Sequence, residues 1–406
     1  MSEPVHGFHP SRRTYRFTVL FFSAAMMIGS YFAYDVIGAL ATTLMEAWHT
    51  TQEGIGSLYT VYSIAAICTV ALGGYLSDRI GTRSAGILLA TLVAVGAALV
   101  ALASSLPVAM AGRVVFGVGA ESLNVVNSAM LARWFKGKEL ALAFGVTLTM
   151  SRIGTLFSFN TASAAASRFG WQAALWIAVL ICVASVMAAL VYWALDRRGG
   201  RVLGLSEPEA GDHIVLADVR KFPASYWFVV MLCVTFYGGI FPFTALSTDF
   251  FHEKWGLPLE ATSGGGFLAA VFQNFLHMFS TAPGTTSIVI FASMCFAPFA
   301  GGLVDRIGRR GTLMMAGSVL MILCYLALAF SAVAPRYPMF MLGAAFVLVP
   351  AAMWPAVPLV VDEKRVGTAY GVMTMIQNVG LALFPWLNGR LRVATEGYQA
   401  SMVMFA

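Results

Sequence analysis

Apolar stretches of about 20 residues, the length that crosses a bilayer's hydrocarbon core as a helix, follow one another along this chain with short polar breaks between them. Eleven can be drawn, at 17–43, 55–76, 84–104, 107–133, 139–165, 172–195, 225–248, 284–303, 312–334, 337–360 and 366–389. A twelfth opens at Tyr398 and runs to Ala406, where we expect the last helix to continue. The longest polar stretch, 196–223, lies near the middle. It divides an N-terminal six-helix bundle, 1–195, from a C-terminal bundle, 224–406, and reads as a cytoplasmic linker. This pattern predicts an all-α membrane protein.

The halves repeat. Gly73-Gly74-Tyr75-Leu76-Ser77-Asp78-Arg79-Ile80-Gly81 returns as Gly301-Gly302-Leu303-Val304-Asp305-Arg306-Ile307-Gly308, with Asp78 and Asp305 227 positions apart. Ala143-Phe144-Gly145-Val146 returns as Ala369-Tyr370-Gly371-Val372 at an offset of 226. Two copies of one membrane bundle, related by a pseudo-two-fold axis, is a build of secondary transporters, which bind near the midplane between the repeats. Gly29-Ser30-Tyr31-Phe32 matches Gly238-Gly239-Ile240-Phe241 at only 209, leaving 227 − 209 = 18 extra residues before the eighth span. We place the surplus near 261–284, on the outer face. Its Phe, Leu and Val, interrupted by Gln273, Asn274 and His277, suit an amphipathic segment on the outer membrane surface, packed in the interface or serving as a lid.

Composition agrees: 59% of residues are hydrophobic and 11% charged, against roughly 25% charged in a soluble domain. The net charge of +6 reflects orientation rather than a nucleic-acid partner. With the N-terminus inside, eighteen Lys and Arg fall in inner loops and five in outer ones, a positive-inside distribution. No cleavable apolar region precedes the first span. All five cysteines lie in apolar spans without CxxC spacing, so neither disulfide nor metal is expected. Phosphate-cradling loops, metal-spaced histidines and nucleophile elbows are missing. We therefore expect no enzyme activity, no cofactor and no obligatory protein partner. With no Asn-x-Ser/Thr acceptor and no acidic dileucine signal, a bacterial-type inner (cytoplasmic) membrane is the economical location.

Ionisable groups inside spans carry the candidate chemistry, because each costs several kcal/mol unless paired or facing water. Arg113, Gly117 and Glu121 recur every four residues and share one helix face. Arg152 lies midway along the antiparallel fifth span, at the depth of Glu121. The two read either as a structural ion pair or as substrate contacts. The repeat favours the second, since Arg152 matches Asn378 and Ser151 matches Gln377 at 226, polar positions across one cavity. A carboxylate and a guanidinium facing shared space suit a zwitterion. Dianions would want a second cation, and the C-terminal spans offer none. Asp35 is expected to pair with Arg113 off the midplane, as a gate or as a proton or substrate group. Tyr31, Tyr34, Tyr237, Phe241 and Trp354 could supply aromatic walls, although core or lipid packing explains any one of them. Asp78, Arg79, Asp305 and Arg306, at inner helix ends, suit conformational switching through bonds to neighbouring helix starts.

The repeated glycine-aspartate-arginine motif resembles that of the major facilitator superfamily. Further stretches are similar to its lysosomal dipeptide uniporter branch: Gly29 to Asp35, Gly112 to Leu123, Trp134 to Leu140, Ser151 to Gly154, Phe241 to Phe243, Trp354-Pro355, Gly367 to Gly371 and Gln377-Asn378. The resemblance covers nearly the whole chain. It implies an alternating-access uniporter for dipeptides in which Glu121 and Arg152 contact the peptide termini. The eighteen-residue surplus and the missing glycosylation and sorting signals depart from the animal members, so their lysosomal placement and glycoprotein partner are not carried over. Alternatives are an organic-anion or drug transporter of the same fold, and a non-transporting membrane sensor.

Overall fold

The computed structural model describes residues 9–135, 139–204, 216–261, 266–362 and 365–406, and these contain helices and no strand. In chain order they are α1 (Arg13–Ala39), α2 (Ala41–Ala47), α3 (Gln52–Ala101), α4 (Leu106–Phe135), α5 (Leu140–Phe169), α6 (Trp171–Leu203), α7 (Ala224–Trp255), α8 (Phe267–Leu276), α9 (Ala282–Ile307), α10 (Arg310–Phe330), α11 (Arg336–Met353), α12 (Val357–Val360), α13 (Val366–Thr395) and α14 (Gln399–Phe405). Eight of the described helices are individually long and apolar enough to cross a bilayer. α3 holds two expected spans, broken at Gly81, where φ is 78°. With ψ at 152° this is a backbone region open essentially to glycine, where a Cβ would cost about 1–3 kcal/mol, so the motif ends in a residue that lets the chain turn.

Each half has its own core. Tyr15, Phe32, Phe116, Phe159 and Tyr192 centre the first; Tyr226, Phe236, Phe243, Tyr325 and Phe405 centre the second. Within the halves α1 packs on α5 and α6, α3 on α4, α7 on α13, and α9 and α10 on α11. The two largest seams between the halves are α3 with α13 and α5 with α9, with α7 against α1, α2 and α3 and α8 against α5 adding smaller ones. The pseudo-two-fold relation exchanges the two largest.

α6 continues as helix to Leu203, through the first residues of the expected linker, and 205–215 lie outside the described residues. That extra length buries Asp196 completely. Its carboxylate meets Arg83 Nε and Arg133 Nε, each at 3.3 Å, and accepts from Trp134 Nε1. Asp196→Asn keeps the shape of the side chain but removes the negative charge that both guanidiniums face. Asp196→Asn is expected to lower stability by about 2 kcal/mol, in the range for a hydrogen bond to a charged group. Thermal unfolding in detergent would show a lowered midpoint, and an unchanged midpoint would contradict this account.

α8 occupies the surplus segment and is amphipathic. Ala270 and Asn274 are buried while Leu268, Phe272 and Leu276 are exposed. The helix lies along α5, with Phe267 on Phe169 and Phe275 on Phe157 at ring distances of 5.6 and 4.9 Å. Asn274 pins it, accepting from Ala261 N (2.8 Å) and donating to Asn160 O (3.2 Å) and Ser163 Oγ (3.4 Å).

Hydrogen bonds between the halves gather toward one end. Asp249 of α7 accepts from Thr42 (3.2 Å), Gln52 Nε2 (3.0 Å) and the Tyr398 hydroxyl. Thr60 bonds Ala382 O (2.6 Å), Asn160 bonds Ser287 Oγ (3.1 Å), and Arg168 pairs with Glu260. The deepest is Arg152 with Ser293. No cross-half hydrogen bond between described residues lies nearer the end that carries Arg79 and Arg306, called here the motif end. The opposite end is the sealed end.

Candidate functional site

Glu121 and Arg152 sit near the middle of two 30-residue helices, α4 and α5. Gly117 lets α3 approach α4: a Cβ there would lie 2.6 Å from Tyr62 O. That approach delivers the Tyr62 hydroxyl to Glu121 Oε1 at 2.6 Å, and Asn124, one turn on, faces the same carboxylate. Arg152 projects from the N-terminal half onto the C-terminal half. It donates to Ser293 Oγ of α9 and lies 4.8 Å over the Phe346 ring of α11.

Glu121 and Arg152 form no ion pair with each other among the described contacts, and both are partly exposed. Each charge is instead steadied by neutral groups, Tyr62 for the acid, Ser293 and Phe346 for the base. Tyr31 of α1 is within electrostatic reach of both. An extended dipeptide spans about 7 Å, so two separate opposite charges suit its ends, whereas a directly paired acid and base would first have to be pulled apart.

The C-terminal half supplies a neutral wall. Tyr237 and Phe241 stack at 5.7 Å, and Phe241 meets Phe346 edge-on at 5.6 Å. Trp354 Nε1 donates to the Tyr237 hydroxyl at 3.0 Å, and the Tyr370 hydroxyl to Trp354 O at 3.0 Å. Gln377 Oε1 accepts from Cys233. Asn378 is buried, donating to Thr374 O while its Oδ1 has no protein partner.

Asp35 and Arg113 make no ion pair, contrary to expectation. Arg113, 1% exposed, is caged by Tyr34, Tyr59, Tyr62 and Phe116, whose ring centroids lie 5.0–5.2 Å from its Cζ. It also donates to Ala33 O at 3.3 Å. Ring faces and carbonyls make the direct contacts with the cation, and Asp35 acts on it only at longer electrostatic range. Asp35, also buried, has Thr155 beside it. Tyr34 thus belongs to the cage. At the motif end Arg79 reaches the Tyr75 hydroxyl and Arg306 is exposed; the side chains of Asp78 and Asp305 lie outside the described residues.

Tyr62, Ser293 and Phe346 escape the sequence reading. Hydroxyls and rings are common in such spans, and only α4's four-residue spacing hinted at a partner for Glu121. A crevice of about 470 Å³ near the motif end, lined by Val229, Val304, Arg310 and Leu359 among others, is separate from this site. Its Arg310 is committed to Pro355 O.

Comparison with known proteins agrees with this build. A sequence model of the Major Facilitator Superfamily matches residues 20–385. The lysosomal dipeptide transporter MFSD1 of Danio rerio is 34% identical, with 98% of this chain aligned to 84% of that protein. The Homo sapiens protein of that name is 32% identical over the same shares. Among solved structures, the nucleoside transporter NupG superposes with a TM-score of 0.71 at 16% identity, covering 96% of this chain and 95% of its own. That likeness speaks to the fold alone. These matched proteins are transporters, not enzymes, and the chain, a multi-pass membrane protein, belongs to the Major Facilitator Superfamily.

Proposed function

We propose that this protein moves dipeptides or similar small zwitterions across a bacterial-type cytoplasmic membrane by alternating access, as a uniporter. One observation carries the reading: Glu121 and Arg152, midway along α4 and α5, are held by neutral partners rather than by each other. Glu121 takes the substrate's ammonium, and Arg152 exchanges Ser293 for its carboxylate. Tyr31, Tyr237, Phe241, Trp354, Gln377 and Asn378 surround the remainder. The dipeptide transporters similar over 98% of the chain support this cargo.

The N-terminus and motif end face the cytosol in this reading, with 196–223 as the link between bundles. The described state is then closed outside and open inside. Asp35, Arg113, Asp78, Arg79, Asp305 and Arg306 serve the conformational change. Counterflow in proteoliposomes tests the proposal. Labelled dipeptide should accumulate against unlabelled dipeptide, and a pH gradient at zero membrane potential should leave the flux unchanged. Binding without counterflow would indicate a sensor; flux following the gradient would replace uniport by proton coupling; exchange of dicarboxylates in preference to dipeptides would overturn the cargo.

A further inference from the structure

Resting on the zwitterion reading, the geometry assigns the ring series Phe346, Phe241, Tyr237 and Trp354 as the subsite for the side chain of the substrate's carboxyl-terminal residue. It selects aliphatic and aromatic side chains there and rejects acidic ones. Arg152 sets the register. Its guanidinium lies over Phe346, so a carboxylate gripped by it brings the adjoining α-carbon beside that ring and the rings that follow. The amino-terminal residue, anchored at Glu121, is handled by Tyr62, Asn124 and Tyr31 of the other half. The two residues of a dipeptide therefore meet different surfaces.

The rings hold one another in place. Phe346 meets Phe241 edge-on, Phe241 stacks on Tyr237, and Tyr237 is tied through its hydroxyl to Trp354. Such a wall offers contact area with little rotamer freedom left to lose. The rings carry no charge themselves; the cation beside them is Arg152 over Phe346, which the terminal carboxylate occupies, and the Tyr370 hydroxyl is spent on Trp354 O. Ring faces are electronegative, and a second carboxylate placed on them would be desolvated beside a repulsive surface.

The test is competition for counterflow by sequence isomers. Gly-Leu should compete about tenfold better than Gly-Asp, the order expected for burying several methylenes rather than a charge. Phe241→Ala should lower the Gly-Leu to Leu-Gly affinity ratio about tenfold, and Phe241→Tyr, which keeps the ring, should restore it. Should Phe241→Ala weaken both isomers alike, or Gly-Asp compete as well as Gly-Leu in the unmodified carrier, the subsite is wrong while dipeptide transport stands. If no dipeptide competes in the unmodified carrier, the zwitterion reading fails and this inference with it.

Discussion

Glu121→Gln weakens free dipeptides about 10- to 100-fold and leaves N-acetylated dipeptides, already poor ligands, nearly unaffected. The carboxylate's contribution is a charge-assisted hydrogen bond to an ammonium, about 1.5–3 kcal/mol, and every 1.4 kcal/mol is about tenfold in affinity. Blocking the amine removes the partner, so the substitution has nothing left to take away. Arg152 gives the mirror case. Arg152→Gln weakens free dipeptides by a similar factor and spares their C-terminal amides, whereas Arg152→Lys keeps charge but loses the planar fork that can grip a carboxylate at two points. Binding of free and blocked peptides to the unmodified protein and to each variant closes a cycle of one substitution against one ligand modification. A purely structural acid and base would behave differently, with each substitution lowering thermal stability and weakening free and blocked ligands equally. That outcome would remove both residues from the substrate site.

The same cycle separates this cargo from an organic anion. An anion carrier retains Arg152 as its grip and has no use for Glu121, so Glu121→Gln would leave monocarboxylate binding intact. The C-terminal wall of rings and amides brings no second cation to the described site, a poor setting for a dianion. Charge inventory and geometry thus support the same class of ligand.

Much of this architecture was legible in the sequence because membrane spans are bounded by length and apolarity alone. Repeat offsets located equivalent helices, and burial cost singled out Glu121 and Arg152 before any contact was known. What stayed hidden depends on partners far apart in the chain. Asn274 was visible as a polar interruption, but its bonds go to Asn160 and Ser163, more than a hundred positions away. The surplus segment therefore read as a helix on the membrane surface, whereas α8 runs lengthwise along α5. Arg113 shows a different limit. Counting charges pairs it with Asp35, yet three tyrosines and a phenylalanine surround its guanidinium. Charge counting omits ring faces, and nothing in the spacing of Tyr34, Tyr59 and Tyr62 reveals their convergence. Ser293 and Phe346 were obscure for a plainer reason: a serine and one of 30 phenylalanines look like lining until Arg152 is seen touching them.

Gly389→Val should trap the carrier open at its sealed end and abolish transport. A Cβ at Gly389 would lie 2.5 Å from Glu53 Cα and 2.6 Å from Gln52 O, and one at Gly56 would lie 2.4 Å from Pro385 O. These neighbours are backbone, on the opposite half, so they can yield only if α3 and α13 part. Overpacking typically costs about 1–3 kcal/mol, here charged to the closed state alone, which shifts the conformational balance by about 5- to 150-fold. Asp249→Asn is the gentler variant. It keeps the shape but weakens the bonds from Thr42, Gln52 and Tyr398, moving the balance in the same direction by less. Spin labels at Thr50→Cys and Arg390→Cys, with Cys68 and Cys295 replaced by serine, would report a longer distance in Gly389→Val. Each half keeps its own core, so the variant should remain folded and bind dipeptide from the sealed end. An unchanged distance with normal counterflow would mean that this contact does not have to close during transport. A longer distance with normal counterflow would mean that closure there is not limiting. Either result would remove the α3–α13 seam from the gate and leave the Asp249 contacts of α7 and the Asn160 and Glu260 contacts along α5 as the barrier.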